Sequence, residues 1–381
     1  MFDVSGGRLI SDAVIVVEDD KIIAAGSRLA IPKDARVIDL GDATLLPGLI
    51  DAHTHITYHF DERGMFGVTN DPNASVALAR SAEDARRTVE AGYTTIRNLG
   101  ASGGVDLQLR DAIRRGETEG PRIFASGTPL TSDELEDAAT PAERIRRIRE
   151  FVAARIHEGA DVIKIFEGVD GQGAPLFSST EVRAAVEEAA RAHLKVAVHA
   201  HEAAAIKAAI EGGCASVEHG TYLDKEAIRL LVAHHTALVP TLYLPTHYLE
   251  HKKQFAFDDS AWAFFERLRS HNLDNLRAAR KSGVWVVAGS DAVAGLHGQN
   301  AREPEWMVKA GMTPAEVLRA TTIDAAQLLG IDNETGELKA GKLADIIAVA
   351  GDPSRDITAL QHVTFVMKAG ATLRGGVAAT Q

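Results

Sequence analysis

The chain has 381 residues, 41 of them Lys or Arg and 53 Asp or Glu, for a formal charge of −12. That balance argues against a nucleic-acid partner, and 45% apolar with 25% charged residues is the composition of a folded globular protein, which excludes disorder and collagen-like repeats. Cys214 is the single cysteine, so neither an internal disulfide nor a cysteine zinc cluster can be built, and fifteen histidines remain as the main supply of metal ligands.

Residues 1–47 read as short strands: Ala13 to Glu18 is apolar and β-branched, Lys21 to Ala25 follows an Asp-Asp turn, and Ala43 to Leu46 runs into Pro47-Gly48. Met1 to Ile10 lacks the basic-then-apolar layout of a signal peptide, and no apolar run reaches the ~18 residues of a membrane span. A cytoplasmic enzyme without a membrane partner is therefore expected.

From Leu49 onward, short apolar runs alternate with stretches of helical period. Strands are predicted at 49–56, 94–99, 121–126, 161–166, 195–200, 215–219, 237–243 and 284–290. Thr140-Pro141-Ala142-Glu143 predicts a capped helix start, as does Ser178 with Glu181, and Gly92, Gly116, Gly159, Gly212 and Gly283 are placed as stops. Eight strands alternating with helices predict a closed (β/α)8 TIM barrel over 48–338, with a doubly wound open sheet as the rival. After Gly336 strands return at Ala344 to Val349, Val363 to Ala369 and Thr372 to Arg374. Neither β-rich end could bury enough surface alone, so 1–47 and 339–381 are expected to pair into one small β-sandwich domain.

The chemistry-bearing residues fall at the predicted strand ends. His53 and His55 lie two apart, so they share a face at the end of the first strand, which in a barrel is the catalytic mouth. Lys164 sits in the fourth strand between Ile163 and Ile165, where a free ammonium needs a charge partner or a chemical modification. His199 and His201 end the fifth strand, His219 the sixth and Asp291 the eighth. Alone, each reads as a satisfied polar residue; seven such residues at five strand ends point to a metal centre. Neutral imidazoles suit Zn²⁺, a carboxylate completes its shell, and an open position for water supplies hydroxide near neutral pH. Condensed with CO₂, Lys164 would become an anionic carbamate able to bridge two cations.

Together with AGYTTIRNLG (91–100), GADVIKIF (159–166), VAVHAH (196–201), VEHGTYLD (217–224), AGMTPAEVLRATT (310–322) and GKLADIIAVAGDP (341–353), the stretches LLPGLIDAHTH (45–55) and GSDA (289–292) resemble the amidohydrolase superfamily. The likeness is greatest to its carbamylated-lysine dipeptidase branch, prolidase-like or imidazolonepropionase-like. It implies that His53, His55 and Asp291 hold one divalent metal, that His199 and His219 hold a second, and that carbamylated Lys164 bridges both, with Zn²⁺ the expected metal. Asp291 would relay the proton of a bridging hydroxide to the leaving amine, and His201 would stabilise the oxyanion.

The implied activity is hydrolysis of an amide in a small-molecule substrate, a dipeptide or N-acyl amino acid, as a dipeptidase or carboxypeptidase, in a homo-oligomer. Tyr222, Tyr243, His297 and Arg97 are the candidate substrate-binding residues. Tyr58, His59 and His247 are weaker candidates. Three departures matter: Asn98 follows Arg97 where relatives have Asp, the stretch 126–138 lacks a Gly-Gly-His loop, and Glu202 stands where relatives have Gly. Three residues after His199, Glu202 carries the main alternative, a mononuclear cyclic amidohydrolase or deaminase; ester, lactone or organophosphate hydrolysis at the binuclear site is another. A binding protein with a decayed site is disfavoured because every ligand position holds a competent residue. The start is also short by one strand relative to such proteins, which leaves room for a removed leader. The segment 244–266 is long, aromatic and charged, and reads as a lid or as a helical extension against a neighbouring subunit.

Overall fold

A computed structural model of the chain describes residues 1–60, 64, 66–68 and 74–375, without the side chains of 66–68 and 74. It is a mixed α/β structure with two four-stranded parallel sheets. In the first, the order is Arg122–Ala125, Tyr93–Asn98, Leu49–His55 and Ala292–Val293; in the second, Val162–Phe166, Lys195–Ala200, Ser216–His219 and Ala237–Val239. Backbone bonds run between the sheets on both sides. Asp161 N donates to Ala125 O at 2.8 Å and Leu130 N to Lys164 O at 2.9 Å, while Leu238 N donates to Trp285 O at 2.9 Å and Ala52 N to Ala288 O at 3.0 Å.

Seven of the eight predicted parallel strands form close to their predicted bounds. The seventh is shorter, ending at Val239, because Pro240 has no N–H to continue the ladder. The eighth is a correction: 284–290 is not a regular strand but carries a single bridge, Val286 to Leu238, and regular pairing resumes only at Ala292–Val293. Gly289 is the reason a chain can run there at all. A Cβ on it would stand 2.8 Å from His53 Cβ and 2.9 Å from His53 N, so the backbone passes directly over the first strand.

The helix starts follow their caps. Thr140 accepts from Glu143 N ahead of Pro141–His157, and Ser178 with Glu181 forms a full capping box ahead of Ser179–Ala190. One predicted stop shifts by a residue: Gly213, at φ 91°, ends the helix Ala203–Gly212. Gly212 serves instead as a close-approach site, since a Cβ there would meet Val182 at 2.5 Å.

The chain ends do pair. Thr44–Pro47 runs antiparallel to Ile346–Val349, which continues to Val363–Lys368 and Ala371–Arg374. The hairpin Ala13–Glu18 with Lys21–Ser27 is a separate two-stranded sheet, tied to the segment ahead of Ile346–Val349 through Ile22 N to Lys342 O at 2.9 Å, and Ile22, Leu338, Ala344 and Ile346 share one apolar cluster with Ile15, Val17 and Met367 around it. Among the described residues, no helix is long and apolar enough to cross a membrane.

Candidate metal centre

The first strand, LIDAHTH, is buried along its whole length. Two-residue spacing turns His53 and His55 to one face, where their Nε2 atoms approach to 3.3 Å. Asp291 Oδ1 lies 3.4 Å from His53 Nε2 and 3.3 Å from His55 Nε2. Across the same space the rings of His199 and His219 stand 4.4 Å apart, those of His199 and His201 4.7 Å, and His53 faces His219 at 5.1 Å. Two sets of potential ligand atoms gather within 4.8 Å: His53, His219 and Asp291, and His199, His201 and His219. His53, His55, His199, His219 and Asp291 are thus brought to one place, and His201 stands among the candidate ligand atoms rather than only beside them.

The electrostatics suit metal binding. Burial, with Lys164 adding to it, lowers His53 to about 4, and burial lowers His201 to about 4 and His199 and His219 further. All four are neutral imidazoles with lone pairs available at neutral pH. Burial raises Asp291, but His53, His55 and Lys164 outweigh it and hold the carboxylate ionised. Lys164 is 1% exposed, and its Nζ has no hydrogen-bond partner among the described residues. Burial lowers its pKa to about 8 against the pull of Glu218 and Asp291, and its Nζ stands over the Phe166 ring at 5.1 Å.

Beneath the rings lies a layer not anticipated from sequence. Glu218 is fully buried; its Oε2 accepts from His53 Nδ1 at 2.8 Å, and its Oε1 accepts from Arg97 Nη2 at 3.0 Å and from the Ser216 hydroxyl. Burial alone would raise this acid; Arg97, then the His53 bond, hold it at about 2. An ionised Glu218 fixes His53 with Nδ1–H pointing down and Nε2 free for a cation. His219 Nδ1 is tied to Thr241 Oγ1 at 2.7 Å and His201 Nδ1 to Thr221 Oγ1 at 2.8 Å. Asp51 accepts from Ser290 N at 2.9 Å and Asn300 Nδ2 at 2.8 Å, which pins the eighth-strand segment beside the first. His219 (φ 72°), Thr241 (φ 47°) and Asp291 (φ 55°) all hold the left-handed conformation that non-glycine residues adopt at a cost, as at many functional sites.

Three comparisons with known proteins bear on this arrangement. A family model described as "Amidohydrolase family" matches residues 44–373. The chain belongs to the amidohydrolase family. Membership makes it a hydrolase of amide and related carbon–nitrogen bonds. Ochratoxinase of Aspergillus niger is 31% identical over 417 residues, covering 97% of this chain and 84% of the relative. A Xaa-Pro dipeptidase with methionine bound in its active site superposes with a TM-score of 0.87 at 32% identity, covering 97% of both chains. A prolidase complexed with N-methylphosphonate-L-proline gives 0.88 at 26% identity, covering 98% of this chain and 97% of that one.

In this amidohydrolase a cavity of about 320 Å³ opens over the clustered histidines, walled by aromatic and aliphatic side chains. None of the four predicted substrate-binding residues lines it. Arg97 is 2% exposed and spends its donors on Ala52 O, Ser216 and Glu218. Tyr222 packs edge-on against His271. Tyr243 lies under the Arg302 guanidinium, and His297 is turned to Thr88 Oγ1 at 3.2 Å; both face a separate polar cavity. The weaker candidate Tyr58 does line the site, stacked on His55 at 4.3 Å. Glu202 occupies the N-cap of Ala203–Gly212 and is outside the cavity wall. Much of that wall comes from 244–281, which folds as the helices Leu244–Glu250 and Asp259–Lys281.

Proposed function

We propose that the chain is a metal-dependent hydrolase of the amide bond in a dipeptide or N-acyl amino acid, working with two divalent cations, Zn²⁺ being the expected metal. His53, His55 and Asp291 would hold one cation, His199 and His219 the other, and Lys164, as its carbamate, both. The observation that carries this reading is the buried, unpartnered Lys164 Nζ beside histidines held neutral. As a free amine it condenses with CO₂, forming an N–C bond and releasing one proton to solvent; the carbamate supplies the oxygens the cluster otherwise lacks. The donor set of imidazole nitrogens and a carboxylate suits such cations. Cations held there would supply Lewis acidity to an amide carbonyl and would bring the pKa of water close to neutral.

The remaining steps belong to side chains. Asp291 is ionised and sits within 3.4 Å of both His53 and His55, where it accepts the proton of the attacking water and returns it to the departing nitrogen. As the water oxygen adds to the carbonyl carbon and the C–N bond breaks, the products are a carboxylate and an amine. The Thr221 hydroxyl donates to His201 Nδ1, which leaves Nε2–H to stabilise the oxyanion. The same reading takes the two parallel sheets as halves of one closed (β/α)8 barrel over 48–338, supported by the backbone bonds at both sheet edges, with a β-sandwich domain from 1–47 and 339–381.

Elemental analysis of protein purified in bicarbonate should return two metals per chain, with added carbamate mass on Lys164. Lys164→Ala should lose turnover and recover part of it with short carboxylic acids, while Glu202→Gln keeps most activity. One metal with an unmodified lysine refutes the proposal.

A further inference from the structure

One helix supplies the outer wall of the cavity. In Asp259–Lys281, Phe264, Leu268 and Asn272 recur every four residues, so they share a face, and all three line the cavity together with Phe265. Phe264 stands edge-on to His201 at 5.5 Å, which sets this wall directly against the reacting centre. Tyr248 and Phe257 continue it. Amid these rings Asn272 is the exception. It is 6% exposed, and its Oδ1 has no hydrogen-bond partner among the described residues.

A buried acceptor left unpaired in an apolar wall is destabilising unless something that enters the cavity pairs with it. Flat, edge-rich walls favour a ring, because aromatic pairs gain from offset and edge-on contact beyond the area they bury. At about 320 Å³ the cavity is at the small end for ligand sites, ~300–1,000 Å³, enough for one ring-bearing unit and its amide.

Resting on the amide-hydrolase reading, we infer that the group beside the scissile bond is an aromatic ring carrying a hydrogen-bond donor, a hydroxyphenyl or an indole, held between Phe264, Phe265 and Leu268 with its donor on Asn272 Oδ1. Asn272 is then a specificity residue, because its unpaired acceptor selects for a donor on the ring. A site that offers a hydrogen bond discriminates far more sharply than an apolar pocket sized by methylenes.

The test is kcat/KM of the metal-replete enzyme for N-acetyl-tyrosine, -tryptophan, -phenylalanine, -glutamate and -lysine, with 4-hydroxybenzoyl-glycine placing the ring on the acyl side. Ring-bearing substrates should lead the charged ones by about tenfold or more, and tyrosine should lead phenylalanine by about tenfold. Asn272→Leu should bring the tyrosine-to-phenylalanine ratio to near unity, and Asn272→Asp, which keeps an acceptor, should retain it. Preference for glutamate or lysine, or an unchanged ratio in Asn272→Leu, overturns the inference while leaving the amidase reading intact. If no amide is cleaved, the amidase reading fails instead. Thermal shifts with N-acetyl-tyrosine against N-acetyl-phenylalanine then decide the pocket independently, equal shifts overturning it.

Discussion

Arg97→Met is the sharpest probe of the layer under the metal residues. In the native chain Arg97 is the strongest attraction on Glu218, and with His53 it holds that fully buried acid at about 2. Because the folded pKa lies below the unfolded value, this acid contributes stability above the unfolded pKa and loses it as pH falls toward 2. The shift from 4.5 to about 2 corresponds to about 3 kcal/mol. Methionine fills much of the arginine volume but removes the guanidinium, so the largest force opposing burial is lost, only His53 and Lys164 still oppose it, and the pKa of Glu218 moves up. Leaving a buried charge without its partner costs about 3–5 kcal/mol. The stability that native Glu218 contributes above its unfolded pKa should therefore shrink in the variant, and the acid limb should flatten. Urea unfolding of apo-protein between pH 2.5 and 7 reads both effects. Combining Arg97→Met with Glu218→Gln removes the stranded charge, and the pair should be more stable than the two single losses together imply by about 2 kcal/mol or more. Additive losses, within about 0.5 kcal/mol, would refute the claim that these two residues act as a unit.

Three further outcomes are expected. Thr241→Val removes the only bond to His219 Nδ1 among the described residues while keeping the shape, and metal affinity measured against a competing chelator should drop about 10–100-fold; unchanged affinity would mean that the ring is oriented by packing alone. Glu167 is buried, with Oε2 unpartnered among the described residues, and burial raises it to about 7, so its stabilising protonated form is complete below the unfolded pKa of 4.5 and lost as pH passes 7. Glu167→Gln should flatten that decline, worth up to about 3 kcal/mol, in urea midpoints taken from pH 5 to 8. Gly289→Ala puts a Cβ 2.8 Å from His53 Cβ and nearer still to Val239 Cγ1, so it should cost about 1–3 kcal/mol and reduce metal content together; normal metal loading would show that the backbone yields without moving His53.

Much of the fold and of the candidate metal centre is legible in the sequence because both rest on local signals. A parallel strand buried on both faces is a short apolar run, and a polar residue at its end is conspicuous against it. The eighth strand was misjudged because 284–290 makes its bonds to distant partners, among them Leu238 and Ala52, and no pattern within seven residues reports those. Glu218 and Arg97 carry no local signal that joins them; only the register that sets Ser216–His219 beside Lys195–Ala200 and opposite the first strand makes them a pair. The substrate candidates lie off the cavity wall for a different reason. Position after a strand says that a residue is near the mouth, but not which way it points, and Tyr243 and His297 turn to the neighbouring cavity. The residues that do form the wall, Phe264 and Leu268, follow an i, i+4 pattern identical to that of any helix packed on a core.

Charge explains why the lysine and the metals belong together on the proposed reading. Around the rings, Arg97 and Lys164 balance Glu218 and Asp291, so the cluster with an unmodified lysine has no surplus of negative charge with which to hold two divalent cations. The Lys164 ammonium also lowers the neighbouring histidines, which is the same repulsion a bound cation would feel. Carbamate formation replaces a positive charge by a negative one at the point where both ligand sets meet. Cations that bind the carbamylated form better must, by linkage, stabilise the carbamate to the same degree. Glu218, kept ionised by Arg97 rather than by solvent, holds His53 in the orientation that both equilibria need, so the buried pair beneath the site is part of the metal chemistry although neither residue reaches the cavity.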